Sequence, residues 1–184
     1  NPQKEEDHSG LKTLCGTGIA FFFILALRSR LRENNYFKQS IKEPNLLQFL
    51  DLVCIATIAD MMDVRDINRT LIIHGLRVLE KTTRPGLRAM MKMASIEKPT
   101  AMHCGFVFGP RINAAGRLQH ARAALDLLTT ENENEANKLC EALEDLNLER
   151  RKTQDTVVEE ALAMAEKEIN NEKWKLLSDE IPAV

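Results

Sequence analysis

Gly105-Phe-Val-Phe-Gly-Pro-Arg-Ile-Asn-Ala-Ala-Gly-Arg117 is the stretch around which the rest of the chain is organised. Its Pro110 lacks a backbone N–H and disfavours a helical conformation at the residue before it. We therefore expect one helix to end near Phe108, Gly109 to be extended, and a second helix to begin at Pro110. The first amides of that second helix would face solvent or an anion.

The polar side chains of this stretch fit two interpretations. In a helix, Asn113 and Arg117 lie four residues apart on one face, and Arg111 lies roughly opposite. One interpretation is a phosphate-binding corner. The other is an ordinary joint between helices, with the arginines paired to nearby carboxylates. The spacing alone favours the joint, because the chain contains no glycine-loop phosphate motif such as a Walker A sequence.

The charges are unevenly distributed, although the whole chain is nearly neutral. Residues 64–122 hold 11 Lys and Arg against 3 Asp and Glu, whereas residues 131–180 hold 7 against 15. The basic block contains the Gly105–Arg117 stretch and suits a polyanionic partner. The acidic block is typical of a solvated helix.

The cysteines are widely spread and form no Cys-x-x-Cys pair. Buried free thiols in a reducing cytoplasm explain them best. A zinc site made of His103, Cys104 and His120 matches no usual ligand spacing. The apolar run Gly18–Leu27 is too short to span a bilayer, so we interpret it as a buried helix and expect no membrane partner.

A strongly apolar segment, Leu46–Ala59, ends directly at Asp60. We predict a helix here, although its Val53–Ile58 portion alone also fits a buried strand. A carboxylate that follows a buried element is well held, and hard divalent cations prefer such oxygen ligands. We assign the metal role to Asp60, and we expect Asp63 to serve the turn and Asp66 to cap the next helix.

A long helix is predicted from Glu133 to about Ile169, because this range contains neither proline nor glycine. Its middle, Glu149–Asp155, is polar on every side, which is expected where a helix crosses solvent between two domains. At 1.5 Å per residue the helix would be roughly 55 Å long.

Taken together, these motifs resemble those of the RecJ single-strand-specific DNA exonucleases of the DHH phosphoesterase superfamily. The resemblance covers most of the chain from Leu11 onward, and its most specific part is the Gly105–Arg117 run. The other matching pieces are Leu14-Cys-Gly-Thr-Gly-Ile-Ala-Phe21, Leu50-Asp-Leu-Val-Cys-Ile-Ala-Thr-Ile-Ala-Asp60, Asn68-Arg69 and Arg84-Pro-Gly-Leu-Arg88.

The resemblance implies a pair of Mn²⁺ or Mg²⁺ ions that serve hydrolysis of single-stranded DNA from a 5′ end. By position, Asp60 resembles an aspartate ligand of that metal site. Asn113 and Arg117 resemble residues near the scissile phosphate or its neighbouring strand, and Arg111 is a weaker candidate for contact with nucleic acid. Helicases and single-strand-binding proteins are the repair partners that it suggests.

The fold class follows from the resemblance. We expect a mostly α chain, the α-rich C-terminal part of an α/β DHH phosphoesterase domain plus a long interdomain connector helix. Residues 1–130 would belong to the catalytic core domain, residues 131–170 to the connector, and residues 171–184 to the start of a second, truncated domain.

The sequence also departs from the family pattern. The chain opens at Asn1 without a start methionine, and Asp7-His8-Ser9 does not replace the family's Asp-His-His motif. One aspartate cannot assemble a two-metal site, so we expect an excised piece that is inactive alone and that self-associates through exposed apolar surface. The alternatives are a catalytically silent helical interaction module of the same superfamily and, less favoured by the motifs, an unrelated helical scaffold.

Overall fold

The computed structural model describes residues 2–38, 41–117 and 121–169. All regular secondary structure in these ranges is helical. A 3-10 turn, Leu46–Phe49, leads into the second helix, and a π-helical segment, Cys104–Phe108, joins the fifth helix to the sixth. The α-helices are α1 (Gly16–Glu33), α2 (Leu50–Ala59), α3 (Asp66–Glu80), α4 (Pro85–Met93), α5 (Ala101–His103), α6 (Gly109–Arg117), α7 (Ala121–Thr129) and α8 (Glu133–Ile169). The predicted mostly α fold is confirmed, and Val53–Ile58 is helix, not strand.

Local sequence signals explain where several helices begin. Pro85 occupies the first turn of α4, where its missing N–H costs nothing. Thr100 is the N-cap of α5, and its N–H donates to His103 Nδ1 at 3.1 Å. The predicted cap of α3 is wrong: the N–H of Arg69 donates to the carbonyl of Arg65, so the helix begins at Asp66 and has no side-chain cap.

Helix α2 lies at the centre of the molecule and contributes to two hydrophobic clusters. Cys54 and Ile55 join the larger cluster, which includes Phe108 and Leu143, and Val53 joins the smaller one. α3 approaches α2 closely at Gly75, because a Cβ there would lie 2.3 Å from the Cβ of Cys54. This approach requires glycine and fixes α2 against its neighbour.

The four cysteines are buried free thiols, as predicted. The Sγ atoms of Cys54 and Cys104 lie 4.0 Å apart and connect α2 with the π-helical segment. The contact with Cys104 and burial of the thiol raise the pKa of Cys54 well above its ordinary value. The thiol therefore stays protonated and acts as a small apolar group.

The prediction that the apolar run in α1 is buried is wrong in detail. Phe21 is buried, but Phe23 and Leu27 remain 68% and 47% exposed. Because α1 carries apolar residues on more than one side, its periodicity could not indicate which side faces the core. None of the helices in the described ranges combines the length and hydrophobicity needed to cross a lipid bilayer.

Helix α8 runs without interruption for 37 residues, as predicted. Its first part packs on the core through Ala136, Cys140 and Leu143, whereas its side chains from residue 151 to residue 167 are exposed. The apolar side chains of Val157 and Met164 in this outer part are 56% and 67% exposed. The connecting role of α8 and the domain boundaries stay predictions, and residues 171–184 lie outside the described residues.

Candidate active site

Asp60 is the C-cap of α2, and its backbone N–H donates to the carbonyl of Ala56 at 2.9 Å. Its side chain is exposed, and the last turn of the helix carries no basic residue. The C-terminus of a helix is the negative end of its dipole, where a carboxylate is unfavourable unless a cation is close. This end of α2 therefore favours a bound cation over a bound anion.

The turn after Asp60 has the hydrogen bonds of a Schellman motif. The N–H of Met61 donates to Ile58 O at 3.0 Å, and the N–H of Met62 donates to Thr57 O at 3.1 Å. Met61 adopts a left-handed conformation with φ of 53°, and its side chain is 90% exposed. A non-glycine residue in this conformation is strained. Asn35 and Ser95 adopt it after α1 and α4 as well, so the conformation marks a helix end and does not by itself indicate a functional site.

The contact between Gly109 and Ala59 joins α6 to the end of α2. A Cβ on Gly109 would lie 2.9 Å from the Cβ of Ala59 and 3.0 Å from the carbonyl oxygen of Cys104. Helix α6 therefore begins directly against the residue that precedes Asp60. The end of α2 and the start of α6 are therefore neighbours, and a shared site made of Asp60, Asn113 and Arg117 stays a prediction.

The predicted extended conformation of Gly109 is wrong. Gly109 is helical, with φ of −55° and ψ of −52°, and its N–H donates to the carbonyl of Cys104 five residues earlier. Proline disfavours a helical predecessor partly through a clash with its Cβ, which glycine lacks. The wider π-helical turn before Pro110 lets the chain continue into α6 without a break.

Asn113 lies one helical turn after Gly109, on the same side of α6, and its side chain is exposed. The next two residues, Ala114 and Ala115, are fully buried and attach the other side of the helix to the core. Arg117 is the last residue of α6, one further turn along, and its side chain lies outside the described part of the structure. Asn113 and Arg117 thus share a helical face by backbone geometry.

Arg111 is held by α8. Its Nε forms an ion pair with Glu144 Oε2, and its Nη1 donates to the carbonyl of Val107 at 3.0 Å. The two charged side chains are only 14% and 25% exposed. A contact of Arg111 with nucleic acid, as predicted, would require this ion pair to break, and the pair matches the helix-joint interpretation at this position.

Asn68 is a buried polar residue to which the sequence, although it shows Asn68-Arg69 as a matching piece, assigned no role in this region. Its Nδ2 donates to the carbonyls of Thr13 at 2.8 Å and Asp63 at 2.9 Å, so it joins the segment before α1 to the loop after Asp60. The Asn68 side chain is fully buried, and its Oδ1 has no hydrogen-bond partner among the described residues. Its place among apolar residues on the inner face of α3 is the signal that could have revealed it.

Asp60 is well suited to a divalent cation but does not complete a site. The described ranges contain no group of three or more His, Cys, Asp or Glu side chains that could hold a metal ion. Asp63, which follows Asp60 closely, faces Arg65 at 3.3 Å instead. His103 accepts a hydrogen bond within the α5 cap, and His120 lies outside the described residues, so nothing supports the zinc site.

Comparison with known sequences gives one consistent result. The single-stranded-DNA-specific exonuclease RecJ of Escherichia coli is 37% identical over 171 residues, which is 91% of this chain and 30% of that protein. The protein of the same name from Bacillus subtilis is 34% identical over 159 residues, 85% of this chain and 18% of that protein. The chain thus spans about a third or less of these relatives. No protein-family model matches it.

Solved structures agree in fold. RecJ of Thermus thermophilus in complex with Mg²⁺ superposes with a TM-score of 0.69 at 31% identity, over 86% of this chain and 23% of that chain. Exonuclease RecJ bound to manganese gives a TM-score of 0.73 at 32% identity, over 85% of this chain and 38% of that chain. The fold is therefore that of the helical part of these RecJ structures. The chain is homologous to the RecJ single-stranded-DNA-specific exonucleases.

Proposed function

We propose that this chain forms part of a metal-dependent exonuclease that hydrolyses single-stranded DNA from its 5′ end, in DNA repair and recombination in the cytoplasm. The observation that carries the proposal is the contact of Gly109 with Ala59, which brings the helix end bearing Asp60 against α6. The homology to RecJ and the basic character of residues 64–122 support it.

In this proposal Asp60 is a catalytic metal ligand for Mn²⁺ or Mg²⁺, and the other ligands come from outside the described residues. When bound, a pair of such ions supplies Lewis acidity to the phosphodiester. The exposed carboxylate of Asp60 at the negative end of α2 suits this role. Because a single carboxylate cannot hold two ions, we propose that the isolated chain is inactive.

Helix α6 would hold the DNA backbone. Asn113 would donate its side-chain amide to a phosphate oxygen, and the guanidinium of Arg117 would bind the same or the next phosphate. At 1.5 Å per residue, four residues separate these positions by about 6 Å along the helix, close to the spacing of phosphates in a strand. Arg111 would reach a phosphate only by leaving Glu144.

We also propose the wider setting of the chain. Residues 1–130 belong to the catalytic core, residues 131–170 connect it to a second domain, and residues 171–184 begin that domain. Its accessory partners would be a helicase or a single-strand-binding protein. The exposed side chains of Phe23 and Leu27 are a surface through which the isolated chain would self-associate.

The test compares Asp60→Asn with the unmodified sequence in the complete protein. The measurement is Mn²⁺-dependent release of nucleotides from single-stranded DNA labelled at its 5′ end. We expect Asp60→Asn to lose at least about 100-fold in rate, the size of effect that follows loss of charge stabilisation at a reacting group. Asp63→Asn is the matched control, because its exposed carboxylate pairs with Arg65, and it should retain full activity.

Two results would reject the proposal in different ways. Absence of release by the unmodified complete protein would favour the silent interaction module. Normal release by Asp60→Asn would remove Asp60 from the metal site while leaving the exonuclease itself in place. Release of the terminal nucleotide from a strand labelled at its 3′ end would overturn only the proposed polarity of cutting.

A further inference from the structure

A groove of about 710 Å³ lies at the other end of α2, between α1, the 3-10 turn and the second half of α3. The buried side chains of Phe21, Leu50 and Leu71 form its floor. Its volume is in the range of pockets that bind several side chains or a small ligand. Leu50 begins α2 and Asp60 follows its end, so the groove and Asp60 are about 15 Å apart along the helix.

The rim of this groove is basic. His74, Arg77 and Lys81 recur at helical spacing along α3 and line one edge of it. All three are exposed, and none forms an ion pair with another part of the chain that the structure describes. The stripe extends about 10 Å, from His74 to Lys81.

Acidic residues are absent from the described lining of the groove, although the chain contains 27 Asp and Glu. The dipole of α3 explains cations near its C-terminus, but it does not explain the lack of carboxylates on the α1 and 3-10 walls. Glu80, which is exposed on the same helix, does not line the groove. The surface therefore combines an apolar floor with a rim of one sign of charge.

We propose that this groove binds an acidic, apolar segment of a partner protein. Apolar side chains of the segment would cover the floor, and two or more of its carboxylates would pair with Arg77 and Lys81. A nucleic-acid strand fits less well, because its phosphates would gain little from the buried leucines of the floor. A partner bound here leaves the Asp60 end of α2 open, so binding and the proposed nuclease activity do not exclude each other.

The test uses fluorescence anisotropy with the complete protein and three labelled probes. The first probe is a synthetic 12-residue peptide that alternates aspartate with leucine and phenylalanine, the second replaces each aspartate with lysine, and the third is a 12-nucleotide oligothymidine. We expect the acidic peptide to bind and the lysine peptide not to bind. Arg77→Glu combined with Lys81→Glu should weaken the binding of the acidic peptide at least about tenfold.

Matched variants separate the groove from general charge. Lys98→Glu changes an exposed lysine that does not line the groove, and it should leave binding within about twofold. Leu47→Ser, at a 56% exposed leucine on the lip, should weaken binding several-fold without unfolding the chain. Asp60→Ala should not change peptide binding, because Asp60 follows the opposite end of α2. The groove proposal and the exonuclease proposal can therefore fail independently of each other.

Several outcomes would overturn the inference. Equal binding of the acidic and lysine peptides would show that the charged rim does not select the partner. Absence of binding by the acidic peptide would reject the inference outright. If the paired reversal weakened only oligothymidine, the groove would be a nucleic-acid surface. If sedimentation showed that Leu47→Ser converts a dimer into monomers, the occupant would be a second copy of this chain.

Discussion

Gly109 lies so close to Ala59 that a Cβ atom on the glycine would come within 2.9 Å of the Ala59 Cβ. This close approach helps to join the helix that ends at Asp60 to the helix that carries Asn113. No other residue type fits there without moving α6 away from α2, because every other side chain begins with a Cβ. The proposed active site therefore depends on a residue that carries no chemical group of its own.

Gly109→Ala should destabilise the chain by about 1–3 kcal/mol, because the added methyl group overpacks the joint. Gly105→Ala is the matched control in the same helical segment, since its Cβ would meet only Ile58 Cγ2 at an ordinary 3.5 Å. That control should be neutral or slightly stabilising, as alanine favours helix over glycine. Urea unfolding of both variants measures the difference, and equal midpoints would show that the contact is not tight.

Arg111 and Glu144 should behave as a partly buried ion pair. Arg111→Met or Glu144→Leu alone leaves an unpaired charge, and because the pair keeps some solvent access we expect a loss of about 1–3 kcal/mol for each. The double variant should recover much of that loss, since no charge is left without a partner. Thermal unfolding of the four proteins gives the coupling free energy.

The exposed pair of Arg122 and Asp126 is the control for this cycle, with side chains 83% and 37% exposed. Its removal should change stability by less than about 1 kcal/mol. Additive losses for Arg111 and Glu144 would show that the two side chains do not interact in solution. In the complete protein, loss of activity in Arg111→Met at unchanged stability would restore Arg111 as a contact to DNA.

The sequence predicts the helices well because their ends carry local signals. Pro85, Thr100 and the proline-free range from Glu133 to Ile169 determine helix limits through short-range sterics and hydrogen bonds. Gly109 shows where such rules fail, because a π-helical turn absorbs the proline that would otherwise end the helix. The buried face of α1 could not be predicted either, since its apolar residues occur on several sides.

Part of the candidate site can also be predicted from the sequence, and part cannot. Asp60 can be found from sequence because it follows a continuous apolar segment directly, and α6 can be found from its unusual composition. The partners of Arg111 and Asn68 are Glu144 and Thr13, which lie 33 and 55 residues away in the sequence. Pattern and spacing describe neighbours within an element, whereas these contacts depend on how elements pack.

Met61→Gly should stabilise the chain by about 0.5–1 kcal/mol. The left-handed conformation of Met61 costs a residue with a Cβ roughly 1–2 kcal/mol, and glycine recovers most of this although its unfolded state has more freedom. Met62→Gly is the control, because Met62 has no positive φ and should only lose stability. Guanidinium unfolding distinguishes the two, and a loss in Met61→Gly would mean that the exposed methionine side chain makes stabilising contacts.

Stability should fall in alkaline solution because of Cys140. Burial raises the pKa of this thiol from 9.0 to about 11, with the carboxylates of Glu144 and Glu141 adding to the rise and Arg111 opposing it. Between these two values the unfolded chain releases a proton that the folded chain keeps. The protonated Cys140 thiol therefore contributes fully to the free energy of unfolding below about pH 9, and this contribution is lost as pH rises through about 11. Its upper limit is about 2–3 kcal/mol.

Cys140→Ala should therefore flatten the pH dependence of unfolding without abolishing it, because the raised pKa of Cys54 leaves a residual slope. The small cavity left by the missing sulfur lowers stability by the same amount at every pH and does not affect the comparison. Urea unfolding of both proteins at intervals between about pH 8 and about pH 11 provides the measurement. Parallel curves would mean that Cys140 ionises as readily in the folded chain as in the unfolded one.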